Sequence, residues 1–230
     1  MNRLDSRLEI LNLGLSDYET IWSYQKELLQ KKTIDTGLPD YLLLVEHPET
    51  ITVGRKYKGP PIAGAKYIER GGEATLHNPG QMIAYPIVTL RERDLHQYLR
   101  KLESVVIDTL HSFELMSDRK ESATGVWVES GARKIASIGV AVSHWTAYHG
   151  VAINVSNDLA PFKKISPCGF DSSIMTSMEK ELGRQVKINS VSNNFAECFR
   201  KRIYENLKSD KTSCVLSEVN QERLNVLTGD

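Results

Sequence analysis

Residues 124–155, TGVWVESGARKIASIGVAVSHWTAYHGVAINV, decide the fold. Three runs within them, Thr124 to Glu129, Arg133 to Ser143 and Ala147 to Val155, are rich in Val, Ile, Ala and aromatic residues. The gaps between them are too short for a helical crossover, so they read as an antiparallel meander. Upstream, a long amphipathic helix is predicted from Asp94 to about Leu115, with Leu95, Leu99, Leu102, Val106, Leu110 and Phe113 apolar. Before it, Lys66 to Arg70, Glu73 to His77 and Met82 to Leu90 read as strands broken at Gly71-Gly72 and Pro79-Gly80. Earlier still are strands at Tyr41 to Glu46 and Ile51 to Val53, then a polar, Gly/Pro-rich stretch from Gly54 to Gly64. Ser16-Asp17-Tyr18-Glu19 reads as a capping box opening a helix whose apolar face holds Tyr18, Ile21, Trp22, Leu28 and Leu29. Downstream, a last amphipathic helix is predicted from Val191 to Leu207, and the polar tail after Lys208 is expected to be poorly ordered. Helices and strands come in blocks rather than in strict alternation, which makes the class α+β. No repeat or linker divides the chain, so residues 1–230 read as a single domain.

Composition excludes several functions. Lys and Arg together number 29 and so do Asp and Glu, so no global charge argues for nucleic acid or an anionic membrane surface. No apolar run approaches the roughly 18 residues of a membrane helix. Met1-Asn2-Arg3-Leu4-Asp5 carries no secretory or transit character, and 3 cysteines at scattered positions make no disulfide framework. The expectation is a reduced, cytoplasmic protein. Six histidines without paired spacing suggest no metal site.

Chemistry concentrates in a few places. Cys168 lies in Ile165-Ser166-Pro167-Cys168-Gly169-Phe170, where proline and glycine place the thiol on a tight turn rather than inside a periodic apolar run. Cys198, in a helix-like stretch, and Cys214, in a polar tail, follow other patterns. In Arg70-Gly71-Gly72-Glu73-Ala74-Thr75-Leu76-His77-Asn78-Pro79-Gly80-Gln81 the paired glycines allow close backbone approach beside Arg70, Thr75 and His77. The same residues also suit an ordinary pair of turns; with no Gly-Lys-Ser/Thr and no following helix they are not a phosphate loop. Lys134, in Lys134-Ile135-Ala136-Ser137-Ile138-Gly139, is embedded among residues that want burial. A buried lysine tends to shed its proton and becomes usable as a base, although most lysines bury only the stem. His149, in His149-Gly150-Val151-Ala152-Ile153-Asn154, is a candidate base for Cys168 or a satisfied structural histidine. Lys163-Lys164 reads as a solvated surface pair, and Arg55-Lys56-Tyr57-Lys58 as a dense basic cluster.

Taken together, RGG-x-x-T-x-H-x-PGQ, G-x-WV with KIASIG, HG-x-A-x-N and PCG, spread in order over residues 70–169, resemble the octanoyl-[acyl-carrier-protein]:protein N-octanoyltransferases, the lipoate-protein ligase B family. Val151, Ile153 and Phe170 are mild departures from that pattern. The resemblance implies the fold of the biotin and lipoate protein ligase catalytic domain, with mixed and antiparallel sheets packed against helices. It implies an acyltransferase that takes octanoyl from acyl carrier protein as a thioester on Cys168 and passes it to a lysine ε-amine. The acceptors implied are the lipoyl domains of 2-oxoacid dehydrogenase complexes and the glycine cleavage H protein. Carried over by position, Cys168 is the nucleophile and Lys134 its base partner. Arg70, Gly71, Gly72, Glu73, Ala74, Thr75, Leu76 and His77, then Ser137, Ile138 and Gly139, then His149, Gly150, Val151 and Ala152, line the acyl site. No cofactor or metal is implied, nor a nucleic-acid or membrane partner. A thiol releases its proton before an amine does, which suits these roles. The alternatives are a Cys168–His149 thioester hydrolase, an ATP-dependent lipoate or biotin-type ligase, and a noncatalytic binding module.

Overall fold

The computed structural model describes residues 8–121, 123–165 and 172–204, and the backbone of 215–218. Cys168 and Cys214 lie outside the described residues. In chain order the first half contains β1 (Leu8–Leu15), α1 (Tyr18–Ile34), β2 (Asp40–Glu46), β3 (Thr50–Val53), β4 (Lys66–Tyr67), β5 (Ala74–His77), β6 (Gln81–Thr89) and α2 (Leu95–His111). The second half contains β7 (Asp118–Lys120), β8 (Ala123–Val128), β9 (Arg133–Ser143), β10 (Thr146–Asn154), α3 (Met178–Leu182), α4 (Ile188–Tyr204) and β11 (Val215–Glu218).

Among the described residues, eight strands form one sheet in the order β11-β1-β2-β6-β10-β9-β8-β7, and three form a small sheet, β4-β3-β5. β1 runs parallel to β2 and to β11, whereas β2, β6, β10, β9 and β8 pair antiparallel with one another in turn. The class is α+β, and the meander read from residues 124–155 is present as β8, β9 and β10, with Val126 opposite Ala136 and Gly150 opposite Gly139.

The large sheet is buried on both faces, which explains why β2 reads Leu42-Leu43-Leu44-Val45 without alternation. Successive side chains leave opposite faces. Leu42, Leu44, Met82 and Ala84 pack with Leu102, Val106, Phe195 and Phe199 of α2 and α4 in one core. Leu43, Val45, Ile83 and Tyr85 pack with Ile21, Tyr24 and Leu28 of α1 in a second. A third cluster, Val53, Ala74, Leu76, Phe162, Ile165 and Met175, holds the small sheet to the chain on either side of the segment containing Cys168. Truncating a fully buried leucine such as Leu102 would cost about 2–5 kcal/mol.

Several boundaries differ from the sequence reading. The cap of α1 is Asp17, whose carboxylate accepts from Thr20 N at 3.0 Å, because the Ser16 hydroxyl instead donates to Leu13 O at 2.7 Å. Trp22 turns from the core face to donate its indole N–H to Glu69 at 3.2 Å, and Leu29 is only partly buried. The strand expected over Lys66 to Arg70 pairs only at Lys66–Tyr67. α2 stops at His111, where Ser112 caps it and Glu114 takes a φ of 66°. α4 begins at Ile188 and is described to Tyr204, so the expected residues 205–207 lie outside the described residues. β1, β7, α3 and β11 had no counterpart in the sequence reading. At the end of α1, Lys32 meets Asp40 at 2.9 Å, and Asp40 also accepts from Tyr204 OH at 2.9 Å, tying α1, β2 and α4 together.

Candidate active site

A cavity of about 470 Å³, open mouth included, lies where the second core of the large sheet meets the small sheet. Its walls are Tyr18 of α1; Ile68, Arg70, Gly72, Thr75 and His77; Ile83 and Tyr85 of β6; Ser137, Ile138 and Gly139 of β9; and His149, Gly150, Val151 and Ala152 of β10. Three sequence segments read separately are thereby brought to one place. Gly71, Glu73, Ala74 and Leu76, also expected at the site, do not bound the cavity. Ala74 and Leu76 are buried in the third core, and the carbonyl of Glu73 accepts from Gly54 N at 3.0 Å. Tyr18, Ile68, Ile83 and Tyr85 were missed, since a pocket wall contributed by separate elements leaves no local pattern.

The loop carrying Arg70 is held by its own side chain. Arg70 Nη2 donates to Thr52 O at 2.8 Å and to Thr52 Oγ1 at 3.0 Å, and Nη1 donates to Gly71 O at 3.0 Å. Gly71 N donates to Val140 O at 2.9 Å, which docks the loop onto β9 beside the cavity. Beneath it, β10 runs antiparallel beside β6 so closely that a Cβ on Gly150 would stand 2.2 Å from Ala84 O, a position only glycine tolerates.

Lys134 is the second residue of β9, three before Ser137, with 1% of its surface exposed. Its Nζ lies 5.4 Å from the centre of the Trp127 ring. The backbone of Lys134 bridges to Met175, and its carbonyl accepts from Thr176 N at 3.0 Å. The chain leaving the segment 166–171 therefore rejoins the fold directly beside Lys134. Cys168 itself lies outside the described residues. Cys198 is half-buried on α4, and burial raises its thiol pKa.

Three histidines surround the cavity or its support. His47 Nδ1 donates to Ser16 O at 2.7 Å, and Nε2 then accepts from Tyr85 OH at 3.0 Å. His77 Nδ1 meets Gln81 Oε1 at 2.8 Å, and its ring stacks on Tyr18 with centroids 5.9 Å apart. His149 adopts a φ of 58°, its backbone N–H donates to Gln25 Oε1 at 3.0 Å, and Nε2 lies 3.4 Å from Glu69 Oε2. Burial pushes all three down, His47 and His149 to about 4 and His77 to about 3, so they are neutral at pH 7. Lys164 pairs with Glu49 at 2.6 Å on the surface, as expected for that lysine pair. Among the described residues no group of three or more His, Cys, Asp or Glu is placed to hold a metal ion. No described helix is long and apolar enough to cross a membrane.

The architecture and the cavity define a catalytic domain of the lipoyl protein ligase A/B class: the model of that domain, "Lipoyl protein ligase A/B catalytic domain", matches residues 17–200. Among solved structures, lipoate-protein ligase A bound with ATP superposes with a TM-score of 0.73 at 14% identity, covering 98% of this chain and 93% of that one. Biotin protein ligase from Aquifex aeolicus superposes with a TM-score of 0.52 at 14% identity, covering 89% and 73%. At such identities the likeness is one of fold. Sequence relatives narrow the class. The octanoyltransferase of Rubrobacter xylanophilus is 42% identical over 200 residues, 81% of this chain and 89% of its own length. That of Synechococcus elongatus is 38% identical over 235 residues, 96% and 97% of the two chains. This chain belongs to the octanoyltransferase family and is an acyltransferase.

Proposed function

We propose that the chain transfers an octanoyl group from acyl carrier protein, through a thioester on Cys168, to the ε-amine of a lysine on a lipoyl domain. Lys134 is the base partner of Cys168, and residues 1–230 act as one acyltransferase domain in the cytoplasm. The acceptors are the lipoyl domains of 2-oxoacid dehydrogenase complexes and the glycine cleavage H protein. The observation that carries this reading is the position of Lys134. It is a buried lysine on the strand that walls the cavity at Ser137, Ile138 and Gly139, and its backbone is hydrogen-bonded to the chain returning from the Cys168 segment.

The chemistry is consistent with the cavity. Its walls are mostly apolar apart from Arg70, Thr75, Ser137 and the histidines and tyrosines, as suits an acyl chain. Burying an octanoyl tail would contribute roughly 5 kcal/mol at about 0.8 kcal/mol per methylene. An apolar slot rejects a chain one methylene shorter only about tenfold, so longer chains must be excluded by the closed end of the slot. Exchange of one thioester for another is nearly isoenergetic, and thioester to amide runs downhill, so no nucleotide is required. Arg70, Gly71, Gly72, Glu73, Ala74, Thr75, Leu76 and His77, with Ser137 to Gly139 and His149 to Ala152, form the acyl site and its backing.

Intact mass after mixing with octanoyl-acyl carrier protein tests the reading. A hydroxylamine-labile adduct on Cys168, discharged by a lipoyl domain and lost in Cys168→Ser, is expected. An adduct on Cys198 or Cys214, or activity of Cys168→Ala with ATP and free octanoate, would overturn it.

A further inference from the structure

Lys134 stands on an irregular piece of sheet. Between β8 and β9, Val126 lies opposite Ala136 and Trp127 opposite Lys134, so β9 carries one residue more than β8 across that step. The extra residue makes a β-bulge, which re-aims the side chains beyond it. Ile135 and Ala136 both enter the core shared with α2 and α4, and alternation then carries Lys134, with Trp127 beside it, to the opposite face. Gly125, two residues before Trp127, is bent as well, with a φ of 130°. The point its Cβ would occupy is taken by the Lys134 side chain, whose Nζ lies 3.4 Å from it. Backbone in such a conformation persists only where its surroundings over-determine it.

What holds Gly125 is a carboxylate from α2. Glu103 has 1% of its surface exposed, and its Oε1 accepts from Gly125 N at 3.2 Å. Oε2 meets Arg100 Nη1 at 2.8 Å and Arg119 Nε at 3.3 Å, so two guanidinium groups match the buried charge. Those two pairs would suffice to join α2 to β7. The bond to Gly125 uses the other oxygen, at the residue whose backbone touches the lysine. A buried N–H without an acceptor is costly, so without Glu103 the backbone at Gly125 would turn to find one. Lys134 Cε and Nζ would then lose the surface they rest on. We propose that Glu103 is a positioning residue for Lys134: by holding the Gly125 N–H it fixes the strand surface against which the lysine amine is set. This rests on the base role inferred for Lys134 above. It extends the machinery to α2, a helix that contributes no residue to the cavity wall.

NMR of the full-length protein, read at the Gly125 amide and the Lys134 Cε–H groups, tests the linkage beside steady-state octanoyl transfer. Glu103→Met removes both acceptor oxygens at similar volume. Both signals should shift in it. Under conditions where it is folded, kcat should fall on the order of tenfold to a hundredfold, the scale of an ångström-sized displacement of a catalytic group. KM for octanoyl-acyl carrier protein should stay within about twofold, because the cavity wall is untouched. Arg119→Met loses the tie to β7 and keeps the Gly125 bond, so it should lower Tm and leave both signals and kcat as they are. Glu103→Gln, the milder change, keeps one oxygen for Gly125 or for the arginines. Lys134 and kcat should follow the Gly125 amide in it, all three moving or none, and this comparison decides even where Glu103→Met does not fold. A Gly125 amide that moves while Lys134 and kcat hold, a loss of kcat with the amide unmoved, or an equal loss in Arg119→Met would each overturn the proposal. Normal transfer by Lys134→Met would instead sink the base role, and the paired shifts alone would then decide whether Glu103 places the lysine.

Discussion

Gly125 lies against the Lys134 side chain: a Cβ on Gly125 would stand 2.8 Å from Lys134 Cε and 2.6 Å from Ala136 O. Gly125 also takes a φ of 130°, which side chains rarely adopt. Gly125→Ala should therefore both strain β8 and displace the lysine. A stability loss of about 2 kcal/mol is expected from the backbone alone, read as a drop in Tm of roughly 4–8 °C at this chain length. Octanoyl transfer measured at a temperature where the variant remains folded should fall further than the folded fraction does.

Lys134 itself is tested by two replacements. Lys134→Met keeps an unbranched apolar stem beside Trp127 and removes the amine proposed to carry the proton, so on that proposal cooperative unfolding should persist while octanoyl transfer falls about 10²-fold or more. Lys134→Arg keeps the charge but stays protonated and should also transfer poorly. Near-wild-type turnover of Lys134→Met would return attention to His149.

Burial of His47, His77 and His149 makes stability depend on pH. In the unfolded chain these side chains take up protons near pH 6.5; in the fold they do so only near 4, 4 and 3 in the order His47, His149, His77. Between those limits the unfolded state binds more protons, so stability is level above about pH 6.5 and falls as pH drops toward 4. The slope is up to about 1.4 kcal/mol per pH unit for each histidine. Urea midpoints at pH 7.5, 6 and 5 measure it, and His47→Asn should reduce the slope between pH 6.5 and 4. A flat profile across that window would show that the three rings are hydrated.

The exposed side chains of Arg55, Lys56 and Lys58 sit on a loop bonded to the Arg70 segment: Arg55 N donates to Arg70 O and Lys56 N to Gly72 O, both at 3.0 Å. With no net charge on the chain, an acidic carrier protein needs such a local patch. Replacing all three residues with Glu should lower kcat/KM for octanoyl-acyl carrier protein, most at low salt, and change kcat much less. An unchanged salt dependence would exclude the loop as the docking face.

The meander and the α+β class were legible because their signals are local, apolar runs in β8, β9 and β10 separated by short gaps, whereas most of the cavity wall was named only through the family resemblance of the motifs around Arg70, Ser137 and His149. What stayed hidden was relational. Tyr18 and Tyr85 reach the cavity from α1 and β6, elements whose approach depends on the packing of the second core. β1 sends Leu8 and Ile10 into one core and Leu11 and Leu13 into the other, so its burial follows neither a helical nor a simple alternating pattern. The shift of the α1 cap from Ser16 to Asp17 turned on which carbonyl the serine hydroxyl found. The bond from Gly125 to Glu103 joins residues 22 positions apart that no local pattern pairs.

The parallel pairing of Glu9–Asn12 with Val215–Glu218 gives the chain a particular history on the ribosome. β1 can dock on β2 soon after both are made, but its other edge must wait for residues from the opposite end of the chain. An unpaired edge is a template for addition of another strand, and pairings this distant form slowly. Each nascent molecule thus carries an open seam through most of its synthesis. A chain cut before Val215 would keep that seam for life, and intermolecular strand exchange would be its route to aggregation.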